Sequence, residues 1–87
     1  MGRYRLIFKK SVARELRPFP KKDVARILKC IDALAADPRP PGCEKLSGQA
    51  RYRLRQGVYR IIYEIHEDSL VIVVVKIGHR RDVYRSS

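Results

Sequence analysis

The chain has 87 residues, and its 20 Lys and Arg against 9 Asp and Glu give it a formal net charge of +11 at pH 7. This length suits one domain with a modest core, so we expect a single domain spanning residues 1–87 and not two. So large an excess of positive charge favours RNA, DNA or an acidic protein as partner, with binding that weakens as salt rises.

The apolar runs and the cysteines predict where the protein is located and whether it binds a metal or cofactor. Residues 1–5 lead into an alternating segment without the apolar stretch of a signal peptide, and the apolar run at residues 70–75 is too short to cross a bilayer. We therefore expect a cytoplasmic protein with no membrane partner. Cys30 and Cys43, together with two histidines at unrelated spacings, make a poor metal set, so we expect reduced thiols, no metal and no cofactor.

The N-terminal half predicts one strand followed by two helices. Residues 3–8 alternate with the period of a strand, and residues 9–17 are expected to form a short helix that ends at the prolines of residues 18–20. A second helix should begin at Pro20, since apolar residues then recur at helical spacing and form one stripe. That stripe comprises Val24, Ile27, Leu28, Ile31, Leu34 and Ala35.

The C-terminal half predicts three strands after a proline-rich connection at residues 37–50. The strands are expected over residues 51–55, 58–66 and 70–77, and the short turns between them make them antiparallel neighbours. The last strand is apolar on both faces, as is typical of a central strand. The sequence thus predicts an α+β domain of order β-α-α-β-β-β, with a short C-terminal turn or helix. Its small, mainly antiparallel sheet would carry both helices on one face.

A basic sheet face is predicted on the side away from the helices. If Tyr52 and Leu54 point to the helices, alternation turns their arginine neighbours to the other face, where Arg60 of the next strand can join them. Those neighbours are Arg51, Arg53 and Arg55. Facing arginines repel, so the face needs a bound anion or Glu64 as a partner. The alternative is an ordinary solvated strand face, on which arginine stems merely cover apolar surface.

The tail after the last strand brings together an imidazole, several guanidiniums and a phenol, which suit a phosphodiester and a stacked base. If residues 80–84 form one helical turn, Arg80 and Tyr84 share a side. Cleavage of RNA by a ribose 2′-hydroxyl needs a base, cations for the phosphorane and an acid. His79 is compatible with a proton shuttle or with a cap at the strand end. Glu64 is compatible with a base or, as we prefer, with an ion-pair partner of an arginine.

Three segments carry a combined pattern: residues 45–48, residues 52–63 with their repeated Tyr and Arg, and residues 78–84. Together they resemble the RelE branch of the RelE/ParE toxin superfamily over essentially the whole chain. The resemblance implies a RelE-like fold and a toxin of a type II toxin-antitoxin system, namely a ribosome-dependent endoribonuclease that cleaves mRNA in the A site. It also implies partners: the ribosome, mRNA and a cognate acidic antitoxin, in a toxin-antitoxin hetero-oligomer.

The resemblance also implies roles for individual residues. Arg53 and Arg55 match the family's basic pair and Arg60 its phosphate-binding arginine. Well-studied relatives carry lysines at the paired positions, where one can act as the base. Arginine cannot easily do so, which leaves His79, Tyr84, Glu64 or a ribosomal group. The expected catalytic set is Arg53, Arg55, Arg60, His79, Arg80 and Tyr84, and the expected RNA contacts are Lys45, Arg51, Arg81 and Arg85.

Two other functional classes remain open. The ParE-like branch poisons DNA gyrase through protein contact and generally lacks the complete arginine and tyrosine set, so Arg80 and Tyr84 argue against it. A non-catalytic module that binds RNA or the ribosome would be satisfied by the charge of +11 alone. Cleaved mRNA with 2′,3′-cyclic ends, blocked supercoiling, or binding without either separates the three.

Overall fold

The computed structural model describes residues 3–46 and 50–79. Its elements are β1 (Arg5–Phe8), α1 (Lys10–Leu16), α2 (Lys21–Leu34), β2 (Glu44–Lys45), β3 (Arg51–Gln56), β4 (Tyr59–His66) and β5 (Val71–His79). The predicted α+β class is confirmed. The turn or helix expected over residues 80–84, with Arg80, Arg81, Tyr84 and Arg85, lies outside the described residues.

Within the described residues the strands form one sheet in the order β1-β5-β4-β3-β2. β3, β4 and β5 are antiparallel neighbours, as predicted, while β1 runs parallel to β5. β5 therefore lies between two strands, as its apolar sequence predicted. β2 was not predicted: the connection at residues 37–50 contains Glu44 and Lys45 paired with β3, and two residues are too few to show an alternating pattern.

The core lies between the two helices and one face of the sheet, as predicted. Ile27, Ile31 and Leu34 of α2 are at most 1% exposed. Leu28, expected in the same stripe, is 41% exposed because it lies beside the buried line and not on it. Among the described residues, the core cluster comprises Val12, Ile27, Ile31, Leu34, Tyr52, Leu54, Ile61, Tyr63, Ile65, Ile72, Val74 and Ile77.

Two tyrosines of this core hold the proline-rich connection against the sheet. The Tyr63 hydroxyl donates to the Pro38 carbonyl at 2.7 Å, and Arg39 Nε donates to the Tyr52 hydroxyl at 3.2 Å. Arg39 also forms an ion pair with Glu67 in the β4–β5 turn. Burial raises the pKa of the Tyr63 phenol, so its proton remains available for the hydrogen bond. No helix in the described ranges has the length and apolar character needed to span a membrane.

A β-bulge in β5 determines which side chains share a face. Ile62 pairs with Lys76 and its neighbour Tyr63 with Val74, so Val75 is an extra residue on β5. Because side chains alternate along a strand, an extra residue exchanges the two faces beyond it. Ile77 consequently joins the core, where it is 1% exposed, and Lys76 turns to the other side.

Glu15 of α1 supports the end of β5 that lies beyond β1. β1 pairs with β5 only as far as Val74, so β5 needs another acceptor on that edge. Glu15 Oε1 accepts a hydrogen bond from the Ile77 backbone N–H at 2.9 Å, and Glu15 Oε2 accepts one from Lys76 Nζ at 3.2 Å. One helical carboxylate thus replaces the missing strand.

Candidate functional site

The register of the β3–β4 hairpin brings four arginines to one face of the sheet. Arg55 lies directly opposite Arg60, whereas Arg51 lies opposite Glu64. Arg53, opposite Ile62, follows the same alternation. Tyr52 and Leu54 occupy the other face, in the core. The basic face is therefore formed as the sequence predicted, on the side away from the helices; the role of each arginine stays a prediction.

Arg51 and Arg53 each lie beside a carboxylate. Arg51 Nε lies 2.9 Å from Glu64 Oε2, and Arg53 Nη2 lies 2.9 Å from Glu44 Oε2. Partial burial alone would raise the pKa of the Glu64 carboxyl, but hydrogen bonds from Arg51 and His66 outweigh it and hold that pKa below its ordinary value. A carboxylate so stabilised is a weak base, which favours the interpretation of Glu64 as an ion-pair partner.

Arg55 and Arg60 form the most unusual part of this face. Residues directly opposite on antiparallel strands have Cβ atoms about 4.5–5.5 Å apart, and like charges there are destabilising. Arg55 is exposed, whereas Arg60 is only 5% exposed. Arg60 Nη1 donates to the Tyr59 carbonyl at 3.3 Å. An anion held by both guanidiniums would relieve their repulsion, and phosphate oxygens match the planar guanidinium fork.

His79 lies on the helix side of the sheet, across from the arginine face, and its place in the catalytic set stays a prediction. It pairs directly with Tyr59 at the end of β5, and directly opposed residues project to the same face. The two rings meet edge to face, with centroids 6.3 Å apart and planes at 82°. The physical reason is the bulge at Val75, without which strict alternation would have turned His79 toward Arg60.

Lys45 is separated from the Arg55–Arg60 pair. It lies opposite Tyr52, three residues along β3 from Arg55, which corresponds to about 10 Å of extended strand. It lines a cavity of about 590 Å³ together with Arg39, His66 and Glu67, at the far end of β4. The paired arginines therefore do not line this cavity.

Three neighbours of the site were not predicted from the sequence: Glu44, Lys76 and Tyr59. Glu44 was hidden in the connection, and Lys76 is turned by the bulge to lie opposite Ile62 on the arginine face. The repeated Tyr and Arg of residues 52–63 singled out Tyr59 only as part of a motif. Residues 3–46 and 50–79 contain no group of three His, Cys, Asp or Glu side chains placed to hold a metal ion.

Known proteins are similar to this chain in sequence and in fold. A sequence profile described as the ParE toxin of the type II toxin-antitoxin system parDE matches residues 3–84. Toxin RelG of Mycobacterium tuberculosis is 27% identical over 86 residues, which cover 94% of this chain and 97% of RelG.

Solved structures give the same result and carry the RelE name. A chain in the crystal structure of the archaeal RelE-RelB complex from Pyrococcus horikoshii OT3 is 33% identical, with a TM-score of 0.81 and coverage of 90% of this chain and 96% of that one. A chain of the intact E. coli RelBE toxin-antitoxin complex is 25% identical, with a TM-score of 0.73 over 87% and 95%. Because the profile spans nearly the whole chain and the individual relatives are RelE proteins, the chain belongs to the RelE/ParE superfamily of type II toxins, on its RelE branch.

Proposed function

We propose that this toxin is a ribosome-dependent endoribonuclease that cleaves mRNA in the ribosomal A site. The observation that carries the proposal is the direct opposition of Arg55 and the nearly buried Arg60. Two guanidiniums fixed by a sheet form a preorganised site for a phosphate that gains negative charge in the transition state. Such a site is worth most where water is partly excluded, as around Arg60.

The reaction begins when the ribose 2′-hydroxyl loses its proton to a base and its oxygen attacks the adjacent phosphorus. The bond from phosphorus to the 5′-oxygen then breaks, an acid protonates that oxygen, and a 2′,3′-cyclic phosphate remains. Arg55 and Arg60 would hold the phosphate, and Arg53 would add charge beside them. His79, Arg80 and Tyr84 stay proposed members of the site, and Lys45, Arg51, Arg81 and Arg85 proposed RNA contacts. Glu64, whose pKa is lowered, is the weakest candidate base.

We further propose a cognate acidic antitoxin as partner, in a hetero-oligomer that keeps the toxin inactive. The P. horikoshii relative was crystallised in a RelE-RelB complex, and the E. coli relative in the intact RelBE toxin-antitoxin complex. A net charge of +11 would attract an acidic segment, and folding of that segment on binding would cover the arginine face. The ribosome as target places the proposed action in the cytoplasm.

The test is cleavage of mRNA on programmed ribosomes by purified Arg55→Ala toxin. Because Arg55 is exposed, its removal should leave the fold intact, unlike removal of the buried Arg60. Loss of one preorganised donor typically costs about 10²- to 10³-fold in rate. Arg14→Ala is the matched control, since it removes one exposed arginine from α1 on the opposite side of the sheet. Equal activity of the wild type and Arg55→Ala would place the site elsewhere.

A second candidate is inhibition of DNA gyrase, which is favoured by the ParE description of the matching profile. It predicts blocked supercoiling by the purified toxin and intact mRNA on ribosomes. Cleaved mRNA with 2′,3′-cyclic ends and unaffected supercoiling would reject it. Tight binding to ribosomes with neither effect would instead identify a non-catalytic module.

A further inference from the structure

Tyr59 lies where α2, β4 and β5 meet. Its hydroxyl donates to Asp23 Oδ2 of α2 at 2.7 Å, and its ring packs on Phe19 with centroids 4.6 Å apart. On the other side the same ring meets His79 edge to face at 6.3 Å. A side chain held at its ring and at its hydroxyl has little freedom to move.

The hydrogen bond to Asp23 further stabilises the protonated phenol of Tyr59. That bond, followed by desolvation, raises the pKa of the Tyr59 phenol above its ordinary value. The phenol therefore keeps its proton and donates to the carboxylate. Since Asp23 is in the first turn of α2, the bond connects the start of β4 to the helix layer.

Tyr59 also contacts the arginine face through its backbone. Its carbonyl accepts a hydrogen bond from Arg60 Nη1 at 3.3 Å. One residue is thus in contact with two members of the proposed catalytic set that lie on opposite faces of the sheet: His79 through the ring and Arg60 through the carbonyl.

We propose that Tyr59 is a positioning residue: locked by Asp23 and Phe19, it sets the orientation of the His79 ring at the end of β5. This inference rests on the proposed function for its effect on rate. A shift of about 1 Å in a catalytic group can cost about 10²-fold.

Tyr63 provides a matched control within the same strand. It too is a tyrosine of β4 whose hydroxyl makes a 2.7 Å hydrogen bond, but its acceptor is the Pro38 carbonyl, and its partner on β5 is Val74 and not His79. Tyr63→Phe and Tyr59→Phe therefore remove the same atom and an equally short bond. Only the second removes the lock on the residue that contacts His79.

The experiment combines NMR of the His79 ring protons with cleavage kinetics, using full-length toxin. Tyr59→Leu should move the His79 ring-proton shifts, because the neighbouring ring current is lost, and should lower kcat at least about tenfold with KM unchanged. Tyr59→Phe and Asp23→Ala keep the ring and should cause a smaller loss in kcat. Asp23→Asn, which keeps an acceptor oxygen, should stay within about twofold of the wild type, as should Tyr63→Phe.

The readouts separate failure of this inference from failure of the proposed function. If wild-type toxin does not cleave mRNA, the endoribonuclease proposal fails. The His79 ring-proton shifts of Tyr59→Phe, which keeps the ring but loses the bond to Asp23, still decide the inference: they should differ from the wild type, whereas those of Tyr63→Phe should not. Unchanged His79 signals in Tyr59→Leu, or equal losses of kcat in Tyr59→Phe and Tyr63→Phe, would overturn the inference. Should Tyr59→Leu not fold, the comparison of Tyr59→Phe with Tyr63→Phe decides.

Discussion

Glu15→Ala should lower the free energy of unfolding by about 1–4 kcal/mol, by two separable effects. It removes the acceptor of the backbone N–H of Ile77, a residue 1% exposed, and an unpaired buried donor costs about 1–3 kcal/mol. It also removes the ion pair with Lys76, whose side chains are 30% and 24% exposed, so solvent screening limits that contribution to at most about 1 kcal/mol.

Urea denaturation followed by circular dichroism measures this loss, with Glu15→Gln as control. The glutamine carbonyl oxygen can still accept from Ile77, so only the charge is lost, and we expect a decrease of about 0–1 kcal/mol. Alanine is the better helix former, so helix propensity would oppose the predicted loss in Glu15→Ala and cannot produce it. If alanine were no more destabilising than glutamine, the carboxylate would not be substituting for a strand at the edge of β5.

Three further results are expected. Ile31→Ala should cost about 2–5 kcal/mol in thermal or urea unfolding, because Ile31 is fully buried; a loss below about 1 kcal/mol would contradict the described core. Glu64→Gln should be less stable than the wild type at pH 7, and the difference should vanish as the pH falls. The pKa of the Glu64 carboxyl is lowered in the folded state, so its charge stabilises the fold above the unfolded pKa of about 4.3. That stabilisation is lost as the pH drops through the folded pKa. Affinity for the antitoxin should fall as salt rises from about 50 to 200 mM, and a salt-independent affinity would refute a charge-led interface.

Much of the fold could be predicted because its signals are local and redundant. The α2 stripe repeats over several turns, so Ile27, Ile31 and Leu34 are evident from spacing alone. The hairpin turn is marked by Gly57, which adopts a positive φ of 60° that suits glycine. β2 was not predicted because it has only two residues, which become a strand by pairing with β3.

The candidate site was predicted only in part, for a reason visible in β5. The arginine face follows from strict alternation in β3 and β4, where polar and apolar residues differ. In β5 the run around Val75 is apolar on both faces, so a bulge there changes no residue class and leaves no trace in the pattern. The position of His79 depends on that bulge, and with it the contact to Tyr59.

Deletion of Val75 would couple two changes that the sequence presents as unrelated. With one residue fewer, Ile77 would leave the core for the solvent side while His79 moved to the side of Arg60. The same deletion that brings a histidine beside the arginines would therefore destabilise the fold by exposing a buried isoleucine. A gap placed in this strand when relatives are aligned would match residues that lie on opposite faces of the sheet. Strand length, more than residue identity, is therefore the property to compare at this position.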